Sequence, residues 1–191
     1  CQQGSIWKKE SFDLDAKLST QTISKDFNTL PELVRIRATE IGSNLAFKDD
    51  NAEITYEELN HLSDSFAFGL ISEGLELGDR VAIWAPNSIN WIICAIGIQK
   101  AGGILVPINT RMKGNEASFI LNKSEAKFLF TEDRFLGINY IELLEDEKLH
   151  NLNKTFILNP VNESVQYKFS DLLNTNSSIN LPTIKGEDYA D

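Results

Sequence analysis

No run of apolar residues in this sequence could span a membrane: the longest, Trp91–Ile98, falls far short of the roughly 20 residues that a bilayer core requires. Histidine is nearly missing. With only His61 and His150 in 191 residues, a His-rich metal centre or a Ser-His-Asp triad has almost nothing to draw on. His61 falls on the outer side of a helical pattern and His150 in a polar stretch, and both read as surface residues. Cysteine is as scarce: Cys94 lies inside an apolar helical pattern, where a thiol behaves as a small hydrophobe. With Cys1 the only other one, a reducing compartment fits best. Positive charge is also in short supply, since 18 Lys and Arg against 28 Asp and Glu give a formal net charge of −10. The clustered basic surface that nucleic acid demands is not there, so no nucleic-acid partner is expected.

What is present suits one α/β domain or one lobe of a larger enzyme. A composition 42% hydrophobic and 24% charged supports a sizeable core. Residues 1–27 show neither apolar periodicity nor strong turn signals and are expected to form a poorly ordered tail. Cys1 reads either as a chain boundary or as the lipidated first residue of a processed lipoprotein. Asn-x-Ser/Thr sequons start at Asn122, Asn153, Asn162 and Asn176; in a chain this rich in Asn, Ser and Thr they carry no assignment.

From Leu30 the pattern becomes regular. Leu30, Leu33, Val34, Ala38 and Ile41 recur at helical spacing, with Thr29 as cap, Pro31 in the first turn and Gly42 past the end. Leu45–Lys48 and Glu53–Tyr56 alternate around Asp50-Asn51 and predict a hairpin. Thr55 and Glu58 form a capping box for a helix with Leu59, Leu62, Phe66 and Leu70 as its stripe and Gly74 as its stop. Then come strand Val81–Ala85, helix Ser88–Ala101 and strand Ile104–Ile108, a strand–helix–strand unit that implies parallel pairing. Helix Asn115–Lys123 with strand Lys127–Thr131, and helix Tyr140–Glu145 with strand Thr155–Leu158, extend it. Phe169–Leu173 reads as a short helical turn. The expected fold class is α/β: a mostly parallel sheet with helices on both faces. The polar stretch after Pro160 closes no core, which suggests a polypeptide that continues beyond Asp191.

A parallel sheet invites a phosphate loop, but no segment has the form. The turn Pro86-Asn87-Ser88 lacks the glycines that let a pyrophosphate approach. Gly97 to Gly102 has the spacing of a P-loop, yet Gly103-Ile104 replace its Lys and Ser/Thr, and it ends a helix instead of opening one. Consecutive carboxylates in Glu142–Glu147 point in different directions and read as a solvated face. Trp84 and Trp91 could line an acyl pocket or belong to the core. The residues alone assign no catalytic, cofactor-binding or metal-ligating position.

Three segments, in order, resemble the adenylate-forming (AMP-dependent) ligase superfamily of acyl-CoA synthetases, peptide-synthetase adenylation domains and luciferases. They are Ile54-Thr-Tyr-Glu-Glu-Leu-Asn60, followed by Gly78-Asp79-Arg80-Val81-Ala82-Ile83; Ile98 to Arg111 with its Lys100-Ala101-Gly102 and Pro107; and Gly186 to Asp191, similar to the acidic lead-in to that family's ATP loop. The resemblance covers about Leu30 to Asp191. Ile108 to Gly114 resembles the fatty-acid and aryl CoA ligases more than the peptide-synthetase branch, as do Glu116–Leu121 and Ala126–Thr131.

The resemblance implies that residues 28–191 are part of an N-terminal AMP-binding domain, truncated before the ATP loop. It also implies an acid-thiol ligase reaction in the parent enzyme. A carboxylate attacks the α-phosphate of Mg-ATP to give an acyl-adenylate and pyrophosphate, and CoA then displaces AMP. ATP, Mg2+, CoA and the carboxylic acid would be held by later sequence, so no catalytic residue is transferred to this chain, none of these ligands is expected to bind it tightly, and it is expected to be inactive alone. The matched motifs look structural. A cytoplasmic location is expected, in line with the reducing compartment that the two cysteines suggest. Loading of a carrier protein instead of CoA, and a non-enzymatic α/β module binding through an unpaired sheet edge, are the alternatives.

Overall fold

The computed structural model describes residues 26–161, 166–174 and 180–188. Most of the expected tail, the sequons at Asn162 and Asn176, and Tyr189 to Asp191 lie outside the described residues. The first helix, α1, spans Leu30–Ile41, with the Thr29 hydroxyl accepting from Glu32 N and proline in its first turn. Strands β1 (Leu45–Lys48) and β2 (Glu53–Thr55) form the antiparallel hairpin. Helix α2, Tyr56–Ser72, starts from the reciprocal box in which Glu58 N donates to Thr55 Oγ1 and Thr55 N donates to Glu58 Oε2. Gly74, at φ 91°, ends it.

The main sheet follows. Strands β3 (Arg80–Trp84), β4 (Ile104–Pro107), β5 (Phe128–Thr131) and β6 (Lys154–Ile157) lie in the order β4-β3-β5-β6, every pair parallel. Helix α3 (Ile89–Lys100) connects β3 to β4, α4 (Gly114–Ser124) connects β4 to β5, and the short α5 (Phe169–Leu172) follows β6. Alternate strand residues face opposite sides. Val81, Ile83, Phe128, Phe130 and Phe156 pack against α2 and α3, whereas Ala82, Trp84 and Leu129 pack against Ala117 and Leu121 of α4 and against Tyr140. A sheet covered on both faces needs nearly continuous apolar strands, which these are.

One element departs from expectation. The segment read as helix Tyr140–Glu145 holds only a three-residue 3-10 turn, Glu142–Leu144. Tyr140 and Leu144 are buried while Ile141 and Leu143 remain exposed, so the apolar stripe is too narrow to favour further turns. Strand ends shift by a single residue from their sequence-derived limits.

Candidate functional site

Ligands of open parallel α/β sheets sit beyond the carboxyl ends of the strands, near the point where strand order reverses. In this sheet the reversal lies at β3, with β4 on one side and β5 on the other. A crevice of about 490 Å³ opens there, lined by Ala85, Pro86, Asn87, Trp91, Pro107, Ile108, Asn109 and Thr110. Its polar groups are neutral amides and a hydroxyl. Neither histidine lines it, and among the described residues no group of three or more His, Cys, Asp or Glu could hold a metal ion.

The floor of the crevice is rigid because two aromatic side chains tether its loop. Trp84 is fully buried and donates from Nε1 to Asn109 O at 3.0 Å; Tyr140 donates from its hydroxyl to Thr110 O at 3.0 Å. Their rings meet edge to face at 4.6 Å. Trp84 is therefore core and loop anchor, while Trp91 is half-buried at the crevice wall. The Asn109 carboxamide closes the local turn by accepting from Arg111 N at 2.9 Å, leaving Asn87 and Thr110 with no side-chain hydrogen bond among the described residues.

The helix terminus that could have taken an anion is occupied from within. The α3 N-terminus carries Ser88 as cap, accepting from Trp91 N, and Asp49 of the hairpin turn, whose Oδ2 accepts from Ile89 N at 3.0 Å. The other oxygen of Asp49 accepts from Asn51 N and Ala52 N. The Ile89 amide, then the Asn51 amide, hold its carboxyl below the ordinary carboxylate range. A phosphate at this terminus would have to displace an internal carboxylate with the same donors. The described residues thus do not fit a nucleotide at this terminus.

Beside the crevice, at the end of β5, Glu132 is buried and accepts from Asn159 Nδ2 at 2.8 Å; Asn159 Oδ1 in turn accepts from Asn90 Nδ2 at 2.8 Å. Burial pushes the Glu132 carboxyl up, the Asn159 amide opposes this, and Asp133 adds to it. Cys94 is fully buried and its thiol is raised by burial, so it is inert as a nucleophile.

Pro107 of the resemblance lines the crevice, whereas the charged motif residues gather at the amino end of the sheet. Lys100, 5% exposed, donates to Asp64 Oδ1 (2.7 Å), Asn60 Oδ1 (2.9 Å) and Asn60 O (3.1 Å), using all three protons to join α3 to α2. Burial lowers its pKa and Asp64 opposes the shift. Arg80 donates to Ser124 O and pairs with Glu125, holding the end of α4; Asp79 pairs with Lys127 at 2.6 Å. In the acidic stretch, Glu142 accepts from Asn139 and Glu147 from the Ser118 hydroxyl. His61 and His150 are exposed. Sequence reasoning missed Asp49, Tyr140 and Glu132. The pairings of Asp49 and Tyr140 reach 40 and 30 residues along the chain and leave no local pattern.

Comparison with known proteins supplies the rest. The family model described as AMP-binding enzyme matches residues 34–188. The 3-[(3aS,4S,7aS)-7a-methyl-1,5-dioxo-octahydro-1H-inden-4-yl]propanoyl:CoA ligase of Rhodococcus jostii is 37% identical over 119 residues, covering 62% of this chain and 23% of the relative. The mitochondrial medium-chain acyl-CoA ligase ACSF2 of Mus musculus is 31% identical over 101 residues, 53% of this chain and 16% of the relative. This chain therefore spans less than a quarter of the length of these curated relatives. The solved anthranilate CoA ligase AuaEII, in complex with anthranoyl-AMP, shares the fold with a TM-score of 0.71 at 21% identity, over 81% of this chain and 30% of that one. No helix among the described residues is long and apolar enough to cross a membrane.

Proposed function

Because this chain belongs to the family of AMP-binding enzymes, we propose that it is the amino-terminal portion of an acyl-CoA ligase and supplies the first sheet of the ligase's large domain. The parent enzyme would join a fatty or aromatic acid to CoA. The carboxylate oxygen bonds to the α-phosphorus of ATP as pyrophosphate leaves, and the CoA sulfur then bonds to the acyl carbon as AMP leaves. The observation that carries this reading is the family match over residues 34–188, and the acyl-CoA ligases among its relatives give the acceptor.

Within that reaction this chain acts as scaffold and wall. An anionic carboxylate approaching a polyphosphate needs clustered donors and cations. The crevice offers neutral groups only, and the α3 terminus is closed by Asp49. Phosphate and metal binding are therefore assigned to later sequence of the parent enzyme, and the 191-residue chain alone is expected to be inactive. Asn87 and Thr110 are the groups of this chain that face the substrate side.

The test is AMP formation by the product of the complete reading frame, given ATP, Mg2+ and a panel of fatty and aromatic acids. The reading expects AMP release to be acid-dependent and accelerated by CoA. Acceleration by a phosphopantetheinyl carrier protein, with CoA inert, would replace the acceptor; no acid-dependent AMP at all would remove the assignment.

A further inference from the structure

The last described segment, residues 180–188, contains neither helix nor strand, yet close contacts define its path over the amino end of the main sheet. Leu181 packs against the core on the α2–α3 side. Pro182 and Ile184 then pass Gly102, and Gly186 passes so near the residue ahead of Thr29 that a Cβ on it would lie 3.1 Å from Asn28 O. Lys185 N donates to Asp188 Oδ2 at 2.7 Å and Asp188 N to Lys185 O at 3.0 Å, closing the far end in a turn. Among the described residues no hydrogen bond joins this strap to the rest of the protein. A cavity of about 530 Å³, with Lys100, Asp64 and Arg35 in its walls, lies beneath it. Side-chain packing at a few points therefore sets where the strap runs.

One of those points is Gly102. Its φ of 79° suits the end of α3, but left-handed backbone alone does not require glycine in this protein, since α4 ends on Glu125 at φ 54°. Crowding sets Gly102 apart. A Cβ there would lie 2.6 Å from Leu77 Cδ1, 3.3 Å from Pro182 Cγ and 3.6 Å from Ile184 Cδ1, whereas at Gly74, past the end of α2, no neighbouring atom comes within 4 Å. Leu77 is 72% exposed, so core packing does not explain it. It sits in a closed turn: Glu76 N donates to Asp79 Oδ2 at 2.8 Å, Asp79 N to Glu76 O at 3.1 Å, and Gly78 N to Gly102 O at 2.8 Å. A rigid turn thus aims an exposed leucine at the point where the strap crosses.

We propose that Leu77 and Gly102 are positioning residues for adenylate formation: they seat the strap, and the strap fixes where the polypeptide beyond it sets out. This rests on the ligase reading above, under which phosphate and metal are held by sequence later than the strap. The crevice lies at the opposite, carboxyl end of the sheet, so neither residue touches substrate. Their effect is on placement, where a shift of about 1 Å in groups that hold a reacting centre costs on the order of 100-fold in rate.

The experiment measures kcat and KM for ATP, acid and CoA in the product of the complete reading frame, for wild type, Leu77→Ala, Leu77→Met and Gly102→Ala. Leu77→Ala is expected to lower kcat/KM for ATP about tenfold, with KM for CoA moved less than about twofold because CoA enters after the adenylate has formed. The thermal midpoint should stay unchanged, since an exposed leucine contributes little to folding. Leu77→Met keeps the bulk and restores the wild-type value. Gly102→Ala, strained by its φ as well as crowded, should show the larger loss. An unaltered kcat/KM for ATP in Leu77→Ala, or a loss that Leu77→Met shares, would overturn the proposal. So would a midpoint of the complete product that falls with or without the activity, the sign that later polypeptide buries Leu77 as ordinary core. Wild type that forms no acid-dependent AMP would remove the ligase reading and the strap's role with it, whereas active wild type with unmoved variants would remove the strap's role alone.

Discussion

Gly97→Ala sets two effects of opposite sign against each other. In mid-helix, alanine is favoured over glycine by about 1 kcal/mol, so helix propensity alone predicts a more stable protein. The structure predicts the reverse. A Cβ at Gly97 would lie 2.5 Å from Phe66 Cδ1 and 2.9 Å from Ser63 O, both on α2. Ser63 O is backbone, and Phe66 cannot swing away: it is fully buried, edge-on to Phe130 at 5.1 Å and tilted on Phe169 at 5.4 Å. Relief requires α2 and α3 to separate, an overpacking cost of about 1–3 kcal/mol. The backbone contact places the cost at the upper end of that range, and with the propensity gain subtracted the net loss is about 2 kcal/mol. For a chain of this size that is a midpoint lowered by about 4–8 °C. Thermal unfolding followed by circular dichroism, or a urea titration with unchanged m-value, measures it. A variant as stable as wild type or more so would refute the close α2–α3 approach. Gly97 would then need another explanation for its place in a G-x-x-x-x-G stretch.

Further outcomes follow from the groups around the crevice. Glu132→Gln keeps an oxygen to accept from Asn159. Because the folded-state pKa of Glu132 is raised, its contribution to stability is fully present below the unfolded value of about 4.3 and is lost as pH rises through the folded pKa. Glu132→Gln should therefore raise the midpoint at pH 7 and give no gain near pH 4; a gain independent of pH would contradict the burial argument. Tyr140→Phe removes one neutral hydrogen bond to the accessible Thr110 loop and should cost about 1 kcal/mol by urea unfolding. Trp84→Phe, which also leaves a cavity, should cost about 2–4 kcal/mol by the same assay. The double variant should fall short of additivity by about 0.5–1.5 kcal/mol, since the two rings touch; strict additivity would dissolve the shared anchor.

Much of the fold was legible because its signals are local. Thr29, Thr55 and Ser88 each cap a helix that the sequence alone locates, and the strands of a doubly covered sheet announce themselves as short apolar runs. The 3-10 turn at Glu142–Leu144 was not legible, because Ile141, Leu143 and Leu144 mimic a helical stripe until tertiary contacts bury Tyr140 and Leu144 and leave the other two outside. The site was harder still. That Asp49 would close the α3 terminus, or that Tyr140 would hold Thr110 O, depends on segments brought together by strand order, which no single window encodes. The turn Pro86-Asn87-Ser88 that leads into α3 carries no glycine. Asp49 supplies the physical complement, an internal anion where an external one would sit.

The most direct test of the central claim is isotope exchange between pyrophosphate and ATP, run with the 191-residue chain and with the product of the complete reading frame under the same acids and Mg2+. Acid-dependent exchange is expected from the complete product and none from the 191-residue chain. Exchange catalysed by the 191-residue chain itself would contradict the assignment of phosphate chemistry to residues outside it; absence of exchange in both would contradict the ligase reading.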